Sequence, residues 1–390
     1  MLMERSSRVA CFVLLALLLT AAAADSVAAD DRLRPAVHLL TASDRMFQLA
    51  AQGGYESAVQ LLPWRDVEPT DGEWHWQQPD FAVRAAEYYD LGLIVRLDHP
   101  PDWAVRSPEN GEGGPIDPDA YADFVATVAR RYRGQVQAYI VWNEPNLRRE
   151  WNGNPLNGAD YMRYFDAAYH AIRAAPGGEG ITVVTAGLAP TGINDGVSAV
   201  DDRVYLRQMY QAGLANPAYQ NIAIGIHPYS AWNAPDAHWC GQAQCSDRGY
   251  DNHPSFFFAN TIEDYHNIMV EFGDTTRQMW PTEFGWGTYD GLHYSDGTPA
   301  QSPEGFPYYD YIDAWDMANY VMRAYEIGQT TPWIGVMFLW NLNFADPYYV
   351  DNRDPRAAYA VWGTAPQPER PVFRLLALAP KTHTSYPLPE

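Results

Sequence analysis

The sequence is poor in cysteine and in positive charge. Cysteine is rare, with three among 390 residues, so a dense disulfide framework is excluded. Positive charge is also scarce: 26 Lys and Arg stand against 48 Asp and Glu, and the net charge of −22 disfavours nucleic acid and anionic membrane surfaces as partners. Residues 30–380 contain no internal repeat, low-complexity run or Ser/Gly linker. The simplest prediction is therefore one domain.

Motifs for several common chemistries are missing as well. The sequence has no HExxH zinc motif, no glycine-rich nucleotide loop, no G-x-S-x-G elbow and no paired histidines at helical spacing. These absences argue against the metal-dependent, nucleotide-dependent and serine-nucleophile enzymes that carry such motifs. We therefore expect neither a cofactor nor a metal.

The N-terminus has the pattern of a secretory signal. Arg5 and Arg8 precede an apolar run at 9–19, which is shorter than the roughly 20 residues of a membrane span, and small residues follow it. Cleavage after Ala24 or Ala29 satisfies the small-residue rule, and we take residues 1–29 as the signal peptide. No later run is longer, so we expect a secreted or periplasmic protein with no membrane contact after cleavage. An uncleaved N-terminal anchor is the alternative.

Two cysteines remain once the signal, which contains Cys11, is removed. Cys240 and Cys245 are separated by four residues, and in an exported protein this spacing predicts a local disulfide. A zinc pair is the alternative, but no second ligand pair with suitable spacing accompanies it.

What the sequence does contain is a large apolar fraction, 47% hydrophobic and 14% aromatic, which is typical of a globular protein with a large core. Short apolar runs alternate with segments of helical period, a pattern that indicates βα units around a parallel sheet. The predicted strands are 36–40, 57–62, 93–97, 136–142, 181–187, 222–227, 278–283 and 334–340. The predicted helices are 79–91, 118–132, 159–174, 204–212, 257–272, 312–327 and 371–378.

Eight strands in this alternation predict a (β/α)8 TIM barrel over residues 30–380. A doubly wound open sheet is the rival fold, but the first strand is not followed by a glycine-rich phosphate turn. We expect the Pro-rich residues 381–390 to form a disordered tail.

Two glutamates end predicted strands inside aromatic-rich motifs. Glu144 follows the fourth strand in "QAYIVWNEPN", and Glu283 ends the seventh in "WPTEFGW". In a barrel both would reach the mouth at the C-terminal ends of the strands, where such enzymes have their active sites. Crowding two carboxyl groups in a dry site favours keeping one protonated and the other charged, which suits acid catalysis and nucleophilic attack. The alternative is that each is a solvated residue at a strand end.

These motifs resemble those of clan A of the glycoside hydrolases, in particular families 5 and 39. "WNEPN" (142–146) and "TEFGW" (282–286) are close to the family patterns, and "WRDVEPTDGEWHW" (64–76) resembles the segment after the second strand. The resemblance implies a retaining enzyme with Glu144 as general acid/base and Glu283 as nucleophile. It also implies that Asn143 hydrogen-bonds the 2-hydroxyl of the sugar.

The same resemblance implies further substrate-binding residues. His227 and Tyr229 in "IHPYS" match a His-x-Tyr pattern whose tyrosine holds the nucleophile, and His99 in "RLDHPPDWA" matches a histidine of the sugar subsite. A core histidine is the alternative for His227, and a structural turn is the alternative for His99.

Tryptophans are the last candidates for binding sugar. Trp340 ends the eighth strand, where the clan places the floor of the −1 subsite, and Trp286 falls in a loop at the mouth. Other tryptophans of the mouth loops, some of which we expect to form outer subsites, are Trp103, Trp151, Trp232 and Trp239.

The sequence departs from the clan in one respect. Many members carry an arginine on strand two that pairs with the nucleophile, whereas this strand reads "SAVQLLPW", with Gln60 near that place and Arg65 only after the tryptophan. Glutamine donates a hydrogen bond but no charge, so we expect the nucleophile to be tuned differently.

These observations predict a secreted, monomeric retaining glycosidase that cleaves β-linked oligo- or polysaccharide. The alternatives are a carbohydrate-binding barrel without turnover and a transglycosylase that uses the same two glutamates. The sequence leaves the sugar, endo or exo cleavage, and the family within the clan open.

Overall fold

The computed structural model describes residues 35–40, 42–105, 116–151, 153–243 and 245–380. The predicted signal peptide, residues 1–29, and the predicted tail, residues 381–390, lie outside this part of the chain. The strands are β1 (Pro35–Leu39), β2 (Ser57–Pro63), β3 (Gly92–Asp98), β4 (Ala138–Val141), β5 (Thr182–Thr185), β6 (Ile222–Ile226), β7 (Met279–Pro281) and β8 (Met337–Leu339).

The helices are α1 (Asp44–Gln52), α2 (Trp64–Val67), α3 (Gln77–Tyr88), α4 (Pro118–Arg131), α5 (Gly158–Ala174), α6 (Asp202–Gln211), α7 (Phe258–Glu271), α8 (Ala314–Thr330), α9 (Pro347–Asp351) and α10 (Pro371–Leu378). No helix in the described ranges combines the length and apolarity needed to cross a bilayer.

Every strand lies parallel to its sequence neighbours, in the order β7-β6-β5-β4-β3-β2-β1-β8. The remaining gap between β7 and β8 is bridged by the single parallel pairs Met279 with Ile334 and Phe284 with Leu339. The sheet therefore curls into a nearly closed barrel with helices outside, which confirms the predicted (β/α)8 fold.

The barrel has an apolar interior and an apolar outer face. Small aliphatic side chains and one phenylalanine fill the interior, and a larger cluster packs the outer face of the strands against the helices. The interior residues are Ala36, Val59, Ile94, Ala138, Ile140, Val184, Ala223 and Phe338. On the mouth side of this apolar layer lie the buried polar side chains of His38, Arg96 and Asp98.

Local signals explain where several helices begin. Asp117 caps α4 by accepting from Asp119 N–H, with proline at the first helical position, as the sequence predicts. Asn157 caps α5 in the same way, and Asp313 with Asp316 forms a capping box at α8.

Differences from the prediction are small. The helix α1 was not predicted, although Ser43 is its N-cap. The predicted strands 278–283 and 334–340 shorten to three residues each in β7 and β8, since these two strands face each other across the gap and pair through isolated bridges. Long loops after β6, β7 and β8 pack a separate tyrosine-rich cluster beside the mouth.

Candidate active site

The two predicted glutamates meet at the mouth of the barrel. Glu144 follows the end of β4 and Glu283 the end of β7. One carboxylate oxygen of each, together with a ring nitrogen of His227, lies within 4.8 Å of the others. Glu283 is the more buried, with 8% of its side chain exposed against 14% for Glu144. Residues 139 positions apart in sequence thus share one small site.

Gly187, which follows β5, makes room for Glu144 and His227 to lie together. Glu144 has a positive φ of 43°, and its N–H donates to Gly187 O at 3.0 Å. A Cβ on Gly187 would come within 2.2 Å of the His227 ring, so only glycine allows that imidazole to lie beside the carboxylates.

Glu283 is held by three groups. Arg96 Nη1 donates to one carboxylate oxygen at 2.6 Å, the Tyr229 hydroxyl donates to the other at 2.9 Å, and His227 Nδ1 lies 4.0 Å from that second oxygen. Burial alone raises the pKa of Glu283, but the electrostatic interactions with His227 and Arg96, together with the hydrogen bond from Tyr229, outweigh it, and the pKa lies below its ordinary value. The lowered pKa favours the charged form of this carboxylate.

Glu144 has fewer and looser partners. His227 Nδ1 lies 3.0 Å from its Oε1, and the exposed guanidinium of Arg149 lies 3.9 Å from its Oε2. Arg149 also pairs with Glu150, whose pKa is raised by burial and by the charge of Glu144. Glu144 is thus less buried than Glu283 and is held by fewer close contacts.

Arg96 is the partner that the sequence interpretation missed. Its Nη1 also donates to Asn143 Oδ1 at 3.1 Å, which leaves the amide nitrogen of Asn143 to donate to a ligand. Its Nε lies 3.0 Å from Asp98 Oδ2. A charged residue two positions before Asp98, inside the apolar run of β3, was the signal in the sequence.

The expectation for Gln60 was wrong. In the β2–β3 register Leu61 stands opposite Arg96, whereas Gln60 stands opposite Val95, which packs against the helices. Because alternate residues of a strand face opposite sides, Gln60 points away from the site, and its amide donates to Leu61 O. Glu283 does have an arginine partner, Arg96, supplied by β3 instead of β2.

His99 extends this charged chain toward solvent. Its Nδ1 bonds to Asp98 Oδ1, and this hydrogen bond raises the pKa of His99 although burial opposes it. One third of the side chain, 34%, is exposed. His99 is thus linked to Glu283 through Asp98 and Arg96, while its contact with sugar stays a prediction.

Trp340 and His38 lie at the side of the site formed by β8 and β1. Trp340 is partly exposed after β8 and packs edge-on against His38, with ring centroids 4.9 Å apart. His38 Nε2 donates to Thr282 O at 2.7 Å, next to Glu283. Burial lowers the pKa of His38 to about 4, so its ring is neutral at neutral pH and braces the backbone that carries Glu283.

Two of the tryptophans are not available to bind sugar. Trp286 has no exposed surface, and its indole N–H donates to Asn233 O at 2.8 Å, so its predicted role in substrate binding is wrong. Trp151 is equally buried. Both loops fold back into the core, since a large apolar ring gains more from packing there than from partial exposure. The loop tryptophans that keep exposed surface are Trp103, Trp232 and Trp239.

The predicted disulfide between Cys240 and Cys245 is confirmed. It closes a short ring in the loop between β6 and α7, outside the carboxylate site. Trp239 lies beside it and donates to Gln242 O within that ring.

The carboxylate site contains atoms of the kind that bind metals. Glu144, His227 and Glu283 each offer one ligand atom within 4.8 Å of the others. Both oxygens of Glu283 already accept from Arg96 and Tyr229, however, and a guanidinium at 2.6 Å would repel a cation. The donor set therefore suits a pair of acids better than a metal ion.

Comparison with known proteins supports the fold. Neither a protein-family model nor a curated protein matches the sequence. A family 39 glycoside hydrolase from Bacteroides cellulosilyticus WH2 superposes with a TM-score of 0.62 and 18% identity over 89% of this chain, and the chain spans 63% of that protein.

Two other solved structures superpose over almost their whole length. An endo-β-1,4-glucanase from Xanthomonas axonopodis pv. citri, with three substitutions, has a TM-score of 0.53, 15% identity and coverage of 88% of this chain and 98% of its own. A GH10 endoxylanase from a sugarcane soil metagenome has a TM-score of 0.53, 14% identity and coverage of 90% and 97%. At these identities the likeness establishes the barrel fold.

Proposed function

We propose that this protein is a retaining glycoside hydrolase that cleaves β-linked oligo- or polysaccharide, with Glu283 as nucleophile and Glu144 as general acid/base. The observation that carries the proposal is the pair of carboxylates within 4.8 Å, one of them held charged by Arg96. Retaining enzymes keep their two carboxyl groups about 5 to 5.5 Å apart, whereas inverting enzymes need about 6.5 to 9.5 Å to admit a water molecule.

In the proposed first step Glu283 attacks the anomeric carbon while Glu144 gives its proton to the glycosidic oxygen, which leaves as an alcohol. In the second step Glu144 takes a proton from water, and the resulting hydroxide displaces Glu283, so the sugar keeps its configuration. In this mechanism the amide N–H of Asn143, whose Oδ1 accepts from Arg96, donates to the 2-hydroxyl. That bond contributes to rate if it strengthens in the transition state.

Solved structures of the same fold include an endo-β-1,4-glucanase and an endoxylanase. Trp340 offers a ring face for stacking a sugar, and the exposed loop tryptophans extend the apolar surface of the mouth. The disulfide fits an oxidising compartment, as we propose for a secreted or periplasmic enzyme.

The test is turnover of a panel of aryl β-glycosides and plant, bacterial and fungal glycans, with the anomeric product followed by NMR. We expect retention, and we expect Glu144→Gln and Glu283→Gln each to lose at least about two orders of magnitude in rate while staying folded. Near-wild-type rates in either variant, or an inverted product, would reject the proposal.

Three controls separate the alternatives. EDTA should leave the rate unchanged, because no metal takes part in the proposed mechanism. Added sugar acceptors identify a transglycosylase by the new glycosides it forms. Glycan binding without turnover in the wild-type protein would identify a binding barrel.

A further inference from the structure

Besides Arg96, another buried arginine lies in the loops near the active site, and it does not pair with Glu144 or Glu283. Arg370, directly before α10, is 2% exposed. Its Nη1 donates to Ala358 O at 3.1 Å and Ala360 O at 2.7 Å, and its Nη2 donates to Thr288 O at 3.0 Å and Asp290 O at 3.1 Å. One guanidinium thus joins the loop after β7 to the loop after β8.

Burying the Arg370 guanidinium among neutral acceptors costs desolvation free energy. All four acceptors are neutral carbonyls, and within the described ranges no carboxylate accepts a hydrogen bond from Arg370. Burial lowers the pKa of Arg370 to about 10, against the opposing charge of Asp290. An apolar side chain of similar length would fill the space without that desolvation. What only a guanidinium supplies is a planar fork of donors that fixes several carbonyls at once.

Arg370 donates to the carbonyls of Ala358 and Ala360, and Tyr359 lies between these two residues in the chain. Its ring packs edge-on against Tyr229 with centroids 5.6 Å apart, and a Cβ added to Gly285 would be 3.4 Å from it. Its carbonyl accepts from Asn341 N–H at 3.4 Å. Tyr359 therefore packs against Tyr229 and lies beside Gly285 and Asn341, which follow Glu283 and Trp340 in the chain.

We propose that Arg370 is a positioning residue of the active site: by holding Tyr359 against Tyr229, it keeps the Tyr229 hydroxyl where it donates to Glu283. The inference rests on the proposed role of Glu283 as nucleophile. Arg370 touches neither substrate nor carboxylate, and its effect reaches the reaction through two tyrosine rings.

Kinetics of Arg370→Met and Arg370→Lys test the proposal. Arg374→Met is the matched control, because Arg374 lies on α10 with 68% of its side chain exposed and pairs only with Glu369 among the described residues. We expect Arg370→Met to lower kcat about tenfold with KM nearly unchanged, the size expected when a hydrogen bond to a charged group is lost. Arg370→Lys should be intermediate, and Arg374→Met should equal the wild type.

The pH profile separates positioning from general stability. The Tyr229 hydrogen bond favours charged Glu283, so a misplaced Tyr229 raises the pKa of Glu283 and moves the acidic limb of kcat/KM to higher pH by up to about one unit. A lower unfolding temperature with kcat and the acidic limb unchanged would show a purely structural role and overturn the inference. If Arg370→Met does not fold, Tyr359→Ala must produce the same shift for the proposal to stand.

A crystal structure of Arg370→Met gives a readout that needs no turnover. The Tyr229–Glu283 contact, 2.9 Å in the native protein, should lengthen beyond hydrogen-bonding distance. An unchanged contact would refute the positioning role, whatever the reaction. A wild-type protein that cleaves no glycoside would instead refute the proposed function.

Discussion

The two carboxylates share one site, yet their surroundings differ. Glu283 is buried on the β7 side, with a guanidinium on one oxygen and a phenolic hydroxyl on the other. Glu144, on the β4 side, faces one imidazole at 3.0 Å and an exposed arginine at 3.9 Å. The Glu283 carboxylate is held on both oxygens by close donors, whereas the Glu144 carboxyl group has one close partner and more exposed surface. The difference teaches that assigning roles to paired acids depends on their partners more than on their separation.

The sharpest way to test this difference is to vary the leaving group. A dinitrophenyl glycoside needs no proton on departure, so Glu144→Ala should still form the glycosyl-enzyme, and azide should restore turnover by giving a glycosyl azide of retained configuration. Glu283→Ala should lose at least about three orders of magnitude on the same substrate. Mass spectrometry of the trapped intermediate and product analysis measure both. Azide rescue of retained product in Glu283→Ala would reverse the assignment.

The next largest effect is expected from removing the positive charge of Arg96, which pairs with Glu283. As the proposed nucleophile, Glu283 must be ionised, so we expect activity to fall as pH drops through its pKa, which lies below its ordinary value of 4.5. Arg96→Met removes a positive charge and should raise that pKa, moving the acidic limb of kcat/KM to higher pH and lowering the maximum rate about a hundredfold. Arg96→Lys keeps the charge and is the control. Identical acidic limbs in wild type and Arg96→Met would contradict the assigned electrostatic role.

The smallest effect is expected on the Glu144 side. Arg149 is 75% exposed and 3.9 Å from the carboxylate, so solvent screens its charge. Arg149→Ala should change kcat/KM by no more than about threefold, and the difference should vanish at about 1 M salt. Arg163→Ala, which removes an exposed arginine paired with Asp160, is the control. A loss of a hundredfold or more would mean that Arg149 binds the substrate directly.

Much of the fold follows from local patterns. The alternation of apolar runs and helical periods placed all eight strands within a few residues, and the cap at Asp117 with Pro118 located the start of α4. Helix α1 escaped prediction because it has only nine residues, although Ser43 caps it and its buried residues lie on one face. Propensity alone is a weak guide for such a short helix.

The site was predictable where a residue sits at a strand end and hard to predict where a strand residue faces inward. Glu144, Glu283, His227 and Tyr229 are brought together as their places after strands imply. Arg96 was not predicted because neighbouring residues of a strand point to opposite faces of the sheet. On β3 the arginine points into the barrel, whereas Gln60 on β2 points toward the helices. Trp286 is an aromatic in a mouth loop, and only the path of that loop shows that its ring is buried.

The order of strands and helices, the two acids and the cysteine pair are determined by the sequence itself, because periodicity, strand ends and short spacing are local properties of a chain. The tertiary structure alone decides which cation pairs with Glu283, which tryptophans reach solvent and which loops Arg370 joins. Those contacts link residues far apart along the chain, 187 positions in the case of Arg96 and Glu283. Their partners are set by the curvature of the closed sheet and by how its loops pack, which no local pattern contains.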